Sequence, residues 1–503
     1  MQNHVLKYLN EIVKKCPDKV AYSNGEEELT FAEVYGQCRS VGTYCYNRGI
    51  YNRPVVVFMQ KAPKEIVAFY GVIAGGNYYV PIDEEMPQSR IELILENVKT
   101  PLIICDESTV ETARGFELGD GEIVLYDDII QTQVNDEAID AIYRKAIDTD
   151  PIYIVFTSGS TGIPKGVVAC HRSVIDYVEQ LSEVLGFDEN TVFGNQTPLY
   201  FDACLKEIYP TLKFGATTYL IPKSYFSFPI KLVEFLNQYK INTICWVVSA
   251  LTMVSAVNTF KSIRPEYLRT IAFGSEVFPI KQFKRWKEAV PNATFTNLYG
   301  PTETTGMCCY YRVEREFADD EVIPIGRSFD NRQILLLDAD GKLVKQGEEG
   351  EICIRGTALT LGYYNDPERT AAAFVQNPLN SLYPELIYKT GDLARYNEAG
   401  ELVFASRKDY QIKHMGHRIE LGEIEVNVNR LEGIHIAACV YDTNKKKIVL
   451  YFVGELTEGE LASALKTKLP RYMIPNKIVK LDEMPFTANG KIDRVTLKKN
   501  CEQ

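Results

Sequence analysis

From Val55 to Ile104 the chain alternates short β-branched runs with amphipathic stretches: Val55-Val56-Val57-Phe58, Lys64 to Ala74, Asn77 to Pro81, then Leu102-Ile103-Ile104. Apolar runs separated by helical spacing predict βαβ units and a largely parallel sheet. The rhythm returns at Thr217 to Pro222, Thr243 to Val248 and Leu268 to Phe273, which predicts a second layered subdomain. After about Gly326 the pattern shortens to strands with turn signals between them. Gln333 to Leu337 runs into Asp338-Ala339-Asp340-Gly341, and Glu351 to Ile354 follows, an antiparallel signature.

The N-terminus has charge-interrupted helical spacing rather than an apolar core before a small-residue cleavage site, so export is not expected. No run of about 18 apolar residues predicts a spanning helix. At 503 residues several globular units are expected. The formal charge of -12 argues against a general phosphate-backbone binder. Twelve scattered cysteines without metal spacing read as reduced, buried hydrophobes of a cytoplasmic protein. Beyond Arg407 the balance shifts to 15 Lys and Arg against 13 Asp and Glu over residues 409–503. A boundary there divides a core of residues 1–407 from a small domain of residues 408–503.

The strand-like Tyr153 to Phe156 opens into Thr157-Ser158-Gly159-Ser160-Thr161-Gly162-Ile163-Pro164-Lys165-Gly166. Glycines let backbone N–H groups approach anionic oxygens, hydroxyls donate, and Lys165 supplies charge. Walker spacing is absent both here and around Asn489-Gly490-Lys491.

This loop, Asn297-Leu298-Tyr299-Gly300-Pro301-Thr302-Glu303-Thr304-Thr305, Tyr388-Lys389-Thr390-Gly391-Asp392-Leu393, Ser406-Arg407-Lys408-Asp409, Gly416-His417-Arg418-Ile419-Glu420 and Asn489-Gly490-Lys491-Ile492-Asp493-Arg494 occur in the order of the adenylate-forming superfamily. The chain resembles most closely the adenylation domains of nonribosomal peptide synthetases and the D-alanine:carrier-protein ligases. The resemblance implies an α/β fold: a large N-terminal domain of layered subdomains with a small β-barrel-like part, then a small mobile α+β domain. It also implies ATP and Mg²⁺ as cofactors and a carrier protein with a phosphopantetheine arm as partner.

A carboxylate attacking the α-phosphate of ATP needs cations and preorganised donors rather than a protein nucleophile. By resemblance, residues 157–165 hold the β- and γ-phosphates, Thr302 contacts the α-phosphate and Glu303 binds Mg²⁺. Tyr299 lies against adenine, Asp392 reaches the ribose, and Arg407 reaches the ribose or phosphate. Taken alone, Thr302 reads as a helix cap and Asp392 as an Asx-turn acceptor. Lys491 matches the family's catalytic lysine, a long ammonium arm brought in by a closing lid. Asp409 matches the hinge of that lid, and Gly416 the lining of the pantetheine tunnel.

Phe201 to Ile208 predicts the start of an amphipathic helix, with Asp202 either its N-cap or the partner of a substrate α-ammonium. A desolvated ammonium without a counter-charge costs several kcal/mol, so Asp202 points to an amino acid. Lys206, at i+4, is expected on the same face, ion-paired to Asp202 or reaching a polar substrate group. Pro210 leaves the Lys206 carbonyl without its helical donor. Trp246, Ile271, Phe273, Leu298, Gly306 and Met307 match the remaining pocket positions. A bulky Phe273 predicts a short pocket and a small amino acid such as alanine, glycine or serine; the other reading is an acidic or hydroxylated side chain on Lys206.

The expectation is therefore a stand-alone ligase forming aminoacyl-adenylate and loading it on a carrier protein. The alternatives are an acyl-CoA synthetase of the same superfamily, against which Asp202 argues, and an inactive nucleotide-binding scaffold.

Overall fold

A computed structural model describes residues 2–159, 162–408, 410–487 and 492–502. The described chain divides into two compact units. One holds residues 1–84, 99–155 and 167–406; the other holds 85–98, 156–166 and 407–503.

The apolar runs of the first half form the middle of a six-stranded sheet. Its order is Glu122–Leu125, Leu102–Cys105, Pro54–Phe58, Tyr78–Ile82, Pro151–Thr157, Lys165–Cys170. The first five strands pair in parallel. Strands Pro54–Phe58 and Leu102–Cys105 are buried at every position, so their side chains are apolar without alternation. Local chemistry fixes the flanking helices. Thr30 and Glu33 make a capping box at the start of Phe31–Asn47, and Pro63 opens Pro63–Ala74. These two helices pack closely because Gly71 has no side chain: a Cβ there would stand 2.3 Å from Val41.

The second rhythm becomes a nine-stranded sheet. Its parallel middle runs Thr294–Tyr299, Thr270–Gly274, Thr243–Val247, Val192–Asn195, Thr217–Leu220, Val20–Ser23, and its outer strands are antiparallel. The N-terminal strand Val20–Ser23 joins at Thr217–Leu220, a long-range pairing with no local signature. Beyond it, Arg332–Leu337, Gly350–Gly356, Phe374–Gln376, Leu386–Tyr396 and Leu402–Arg407 form a five-stranded sheet, antiparallel in its assigned pairings.

In the smaller unit a three-stranded sheet is built from Ile434–Asp442, Lys447–Gly454 and Lys477–Lys480. One face packs Cys439, Leu450 and Phe452 with Ile424, Val428 and Leu461; the other packs Ala438, Val440 and Tyr451 with Met484 and Leu497. Eleven of the twelve cysteines are buried. Among the described residues no helix is long and apolar enough to cross a membrane.

Candidate active site

In the larger unit, strand Thr294–Tyr299 ends at Gly300, where a Cβ would stand 2.2 Å from the Gly306 carbonyl. Only a glycine lets the chain double back here. The intervening residues form a 3-10 turn, Thr302–Thr304, and Thr305 (φ 54°) and Gly306 (φ 78°) close it in the left-handed region. Pro301, not Thr302, precedes the turn, and no side chain caps it. The turn buries Glu303 completely. Its Oε1 accepts from the Tyr363 hydroxyl at 2.8 Å, and its backbone carbonyl accepts from both the amide and the hydroxyl of Thr360.

The Tyr299 hydroxyl donates to Asp392 Oδ2 at 2.5 Å. Burial, reinforced by that carboxylate, raises the phenol far above its ordinary range. Asp392 lies within strand Leu386–Tyr396 rather than in a free turn. The register passes from Cys353↔Lys389 to Glu351↔Leu393, so Thr390-Gly391-Asp392 bulges opposite Ile352. Gly391 (φ 73°) makes the bulge possible, and the Thr390 hydroxyl accepts the Asp392 amide at 3.0 Å.

The predicted helix at Phe201 begins differently from the sequence reading. Asp202–Cys204 is a 3-10 turn, and the α-helix runs Leu205–Phe214 with Pro210 inside it. Asp202 is thus not its N-cap, and the i+4 geometry with Lys206 does not apply across the turn. Asp202 is half-buried and contributes to raising the phenols of Tyr153 and Tyr177, after desolvation. Both hydroxyls are buried; that of Tyr153 has no hydrogen-bond partner among the described residues, while that of Tyr177 meets the Met307 backbone.

Lys206 is only 3% exposed and makes no hydrogen bond or ion pair among the described residues. Glu207 beside it is fully buried; Asn195 Nδ2 donates to its Oε2 at 3.3 Å, while Oε1 has no partner. Burial pushes the Glu207 carboxyl up to about 7, opposed by Lys206, Asn195 and Lys61. Lys61 donates to the carbonyls of Asn195 and Gln196, and burial lowers its ammonium to about 8.

The remaining pocket candidates separate by strand face. Leu298 and Met307 join the apolar cluster that contains Cys204, Leu205, Tyr153 and Tyr177. Trp246, Ile271 and Phe273 join another, where Phe273 meets Phe278 edge-on at 5.0 Å and Trp246 Nε1 donates to the Gly194 carbonyl at 2.7 Å. Ala272, between Ile271 and Phe273 on the same strand, faces the Leu298 side.

The strand Pro151–Thr157 runs into the glycine-rich loop, and residues 156–166 belong to the smaller unit. The Thr157 hydroxyl is buried with no hydrogen-bond partner among the described residues. Ser158 Oγ donates to the Arg418 carbonyl at 2.9 Å, and the Gly159 amide donates to Glu423 Oε2 at 3.0 Å. Glu423 also pairs with Arg90. Gly162 has φ 81°, and Lys165 opens the strand Lys165–Cys170. Ser160, Thr161, Asp409 and Lys491 lie outside the described residues. Arg407 ends strand Leu402–Arg407. Gly416 (φ 81°), with Met415 (φ 52°), forms the two-residue turn between strands Gln411–His414 and His417–Glu420, a position that needs left-handed backbone.

Sequence reasoning missed Tyr363, Tyr153, Tyr177, Glu207 and Lys61. Only Glu207, next to Lys206, carried a local signal.

The doubled-back Tyr-Gly-Pro-Thr-Glu turn, its tyrosine on a bulged aspartate, and the glycine-rich loop after a buried strand are features of a chain that belongs to the AMP-binding enzyme family, which it matches over residues 9–364. Among individual proteins, it is 32% identical to the D-alanine--D-alanyl carrier protein ligase of Bacillus licheniformis, over 97% of this chain and 99% of that enzyme. It is 30% identical to tyrocidine synthase 1 of Brevibacillus parabrevis over 97% of this chain, and spans 44% of that synthase. In fold it is similar to the Vibrio cholerae adenylation domain AlmE in complex with glycyl-adenosine-5'-phosphate, with a TM-score of 0.85 and 21% identity over 100% of this chain and 98% of that one.

Proposed function

We propose that this protein uses ATP to activate an amino acid as its aminoacyl-adenylate, releasing pyrophosphate, and passes the aminoacyl group to the phosphopantetheine thiol of a carrier protein. The observation that carries the reading is Asp202, half-buried on the 3-10 turn beside two buried tyrosine hydroxyls. A carboxylate there suits a substrate ammonium, whereas a fatty or aryl acid offers it nothing. The end-to-end match to a carrier-protein ligase supports the same reading.

The donor sets suit the nucleotide. Asp392 is able to accept from a ribose diol, and the orphaned Thr157 hydroxyl and the Gly162 turn suit phosphate oxygens. Glu303 is a hard oxygen donor of the kind Mg²⁺ takes, and the ion would neutralise phosphate charge. Arg407 is assigned to the ribose and Lys491 to the attacking carboxylate, with residues 408–503 as the moving lid and Asp409 as its hinge. Gly416 is assigned to the pantetheine path. We place the enzyme in the cytoplasm.

The substrate is proposed to be a small amino acid. A second reading, an acidic or hydroxylated one, is favoured by Lys206, buried without a hydrogen-bond or ion-pair partner among the described residues. Amino-acid-dependent ATP–pyrophosphate exchange tests both, across the proteinogenic amino acids, D-alanine, D-serine and a short fatty acid. Exchange with one small amino acid supports the first reading, and exchange with aspartate or glutamate the second. Exchange with the fatty acid alone overturns the role of Asp202 and points to an acyl-CoA synthetase.

A further inference from the structure

A buried ion pair lies behind the turn that carries Gly306 and Met307. The Arg332 side chain is completely buried and pairs with Asp176 of helix His171–Leu185. Its Nη1 donates to the Met307 carbonyl at 3.0 Å, and its guanidinium sits 5.4 Å from the centre of the Phe329 ring. Asp176 also accepts from Asn331 Nδ2 at 2.9 Å. The next helix residue, Tyr177, presses on the same turn: a Cβ on Gly306 would stand 3.0 Å from its ring. Thr305 is held from the other side by its hydroxyl on the Ala358 carbonyl at 2.9 Å.

Two consecutive left-handed residues, one of them a threonine, persist only where their surroundings fix them. A buried ion pair is weak as fold glue, because desolvation offsets most of its attraction. Its geometric value is larger. The guanidinium fork is rigid, and it joins a helix to one specific carbonyl.

The geometry points to Arg332 and Asp176 as positioning residues that set the Gly306–Met307 wall of the acyl pocket, and through it the choice of amino acid. This rests on the proposed adenylation, in which Gly306 and Met307 line that pocket. Arg332 does not touch the substrate. It fixes the carbonyl of a residue that does.

The test is ATP–pyrophosphate exchange with two variants. Arg332→Lys keeps the charge on Asp176 but replaces the fork with a point cation that does not serve both partners. Asp176→Asn/Arg332→Met removes both charges together and leaves no buried charge unpaired, so it tests the idea even if the single variant fails to fold. Each is expected to raise the amino-acid KM about tenfold, the size of one lost hydrogen bond to a charged group, and to narrow the preference over the next-best amino acid. The ATP KM should stay within about twofold of wild type. Folded variants with unchanged amino-acid KM and unchanged preference, or with kcat alone reduced, overturn the assignment. Wild-type protein without amino-acid-dependent exchange removes both this inference and the function beneath it.

Discussion

Around Tyr299 each buried carboxylate carries a tyrosine hydroxyl, Tyr299 on Asp392 and Tyr363 on Glu303. By contrast, Tyr153, whose phenol feels the charge of Asp202, and Asn195, Thr197 and Glu207 each keep a buried oxygen with no hydrogen-bond partner among the described residues. A buried polar atom left without any partner costs about 1–3 kcal/mol, so each of these oxygens is open to a partner from solvent or substrate. On the proposed reading, the first region is set in advance for the nucleotide, and the second keeps polar capacity for the amino acid.

The largest effect is expected from a residue belonging to neither region. Lys491→Ala should lower adenylate formation about a thousandfold, the scale of losing one electrostatic stabiliser, while transfer from presynthesised aminoacyl-adenylate continues. Single-turnover assays of each half-reaction separate the two. Equal loss in both removes the assignment of Lys491.

Next is Asp202→Ala, expected to reduce kcat/KM for the amino acid about 300-fold, from roughly 3–4 kcal/mol for an ammonium left unpaired. The ATP KM should not move. A matching loss for ATP would erase the functional contrast between the regions.

Glu207 tests the energetic side. Its folded carboxyl stands at about 7 against 4.5 ordinarily, so between those values the folded chain holds a proton that the unfolded chain releases. Stability therefore falls as pH rises through that window and is lowest above it. Glu207→Gln should remove the dependence. From about pH 4.5 to about pH 8, urea unfolding should shift in the variant's favour by ~3 kcal/mol relative to wild type. A pH-independent difference would show that Glu207 is not held in reserve.

The smallest effect is Tyr299→Phe, which strips the hydroxyl from Asp392. It should raise the ATP KM about tenfold and leave amino-acid preference intact. A changed preference would mean that the nucleotide residues also select the acyl group.

The sheets were legible because their strands are apolar runs: Val55 to Phe58 falls within Pro54–Phe58, and Thr243 to Val248 covers Thr243–Val247. The pairing of Val20–Ser23 with Thr217–Leu220 was not, since nothing local encodes a partner so distant. Nor was the membership of residues 85–98 and 156–166 in the smaller unit. At the site, residues inside ordered motifs stood out. Asp392 read as a turn residue because a bulge and a turn share the Thr-Gly signal, and only strand pairing separates them. Tyr177, Asp176 and Arg332 escaped notice because on a helix and a strand they look like ordinary core and surface positions.

On the proposed reading, in which Gly306 lines the acyl pocket, the ring of Tyr177 against it constrains how the choice of amino acid is able to change. A Cβ at 306 would stand 3.0 Å from that ring, which would have to give by a few tenths of an ångström, and at φ 78° even alanine is strained. The strain at φ 78° remains whatever stands at 177, so shrinking the tyrosine does not by itself open position 306. Libraries that randomise 306 are expected to return mostly inactive clones with or without a change at 177, and altered specificity is expected from the other walls of the proposed pocket.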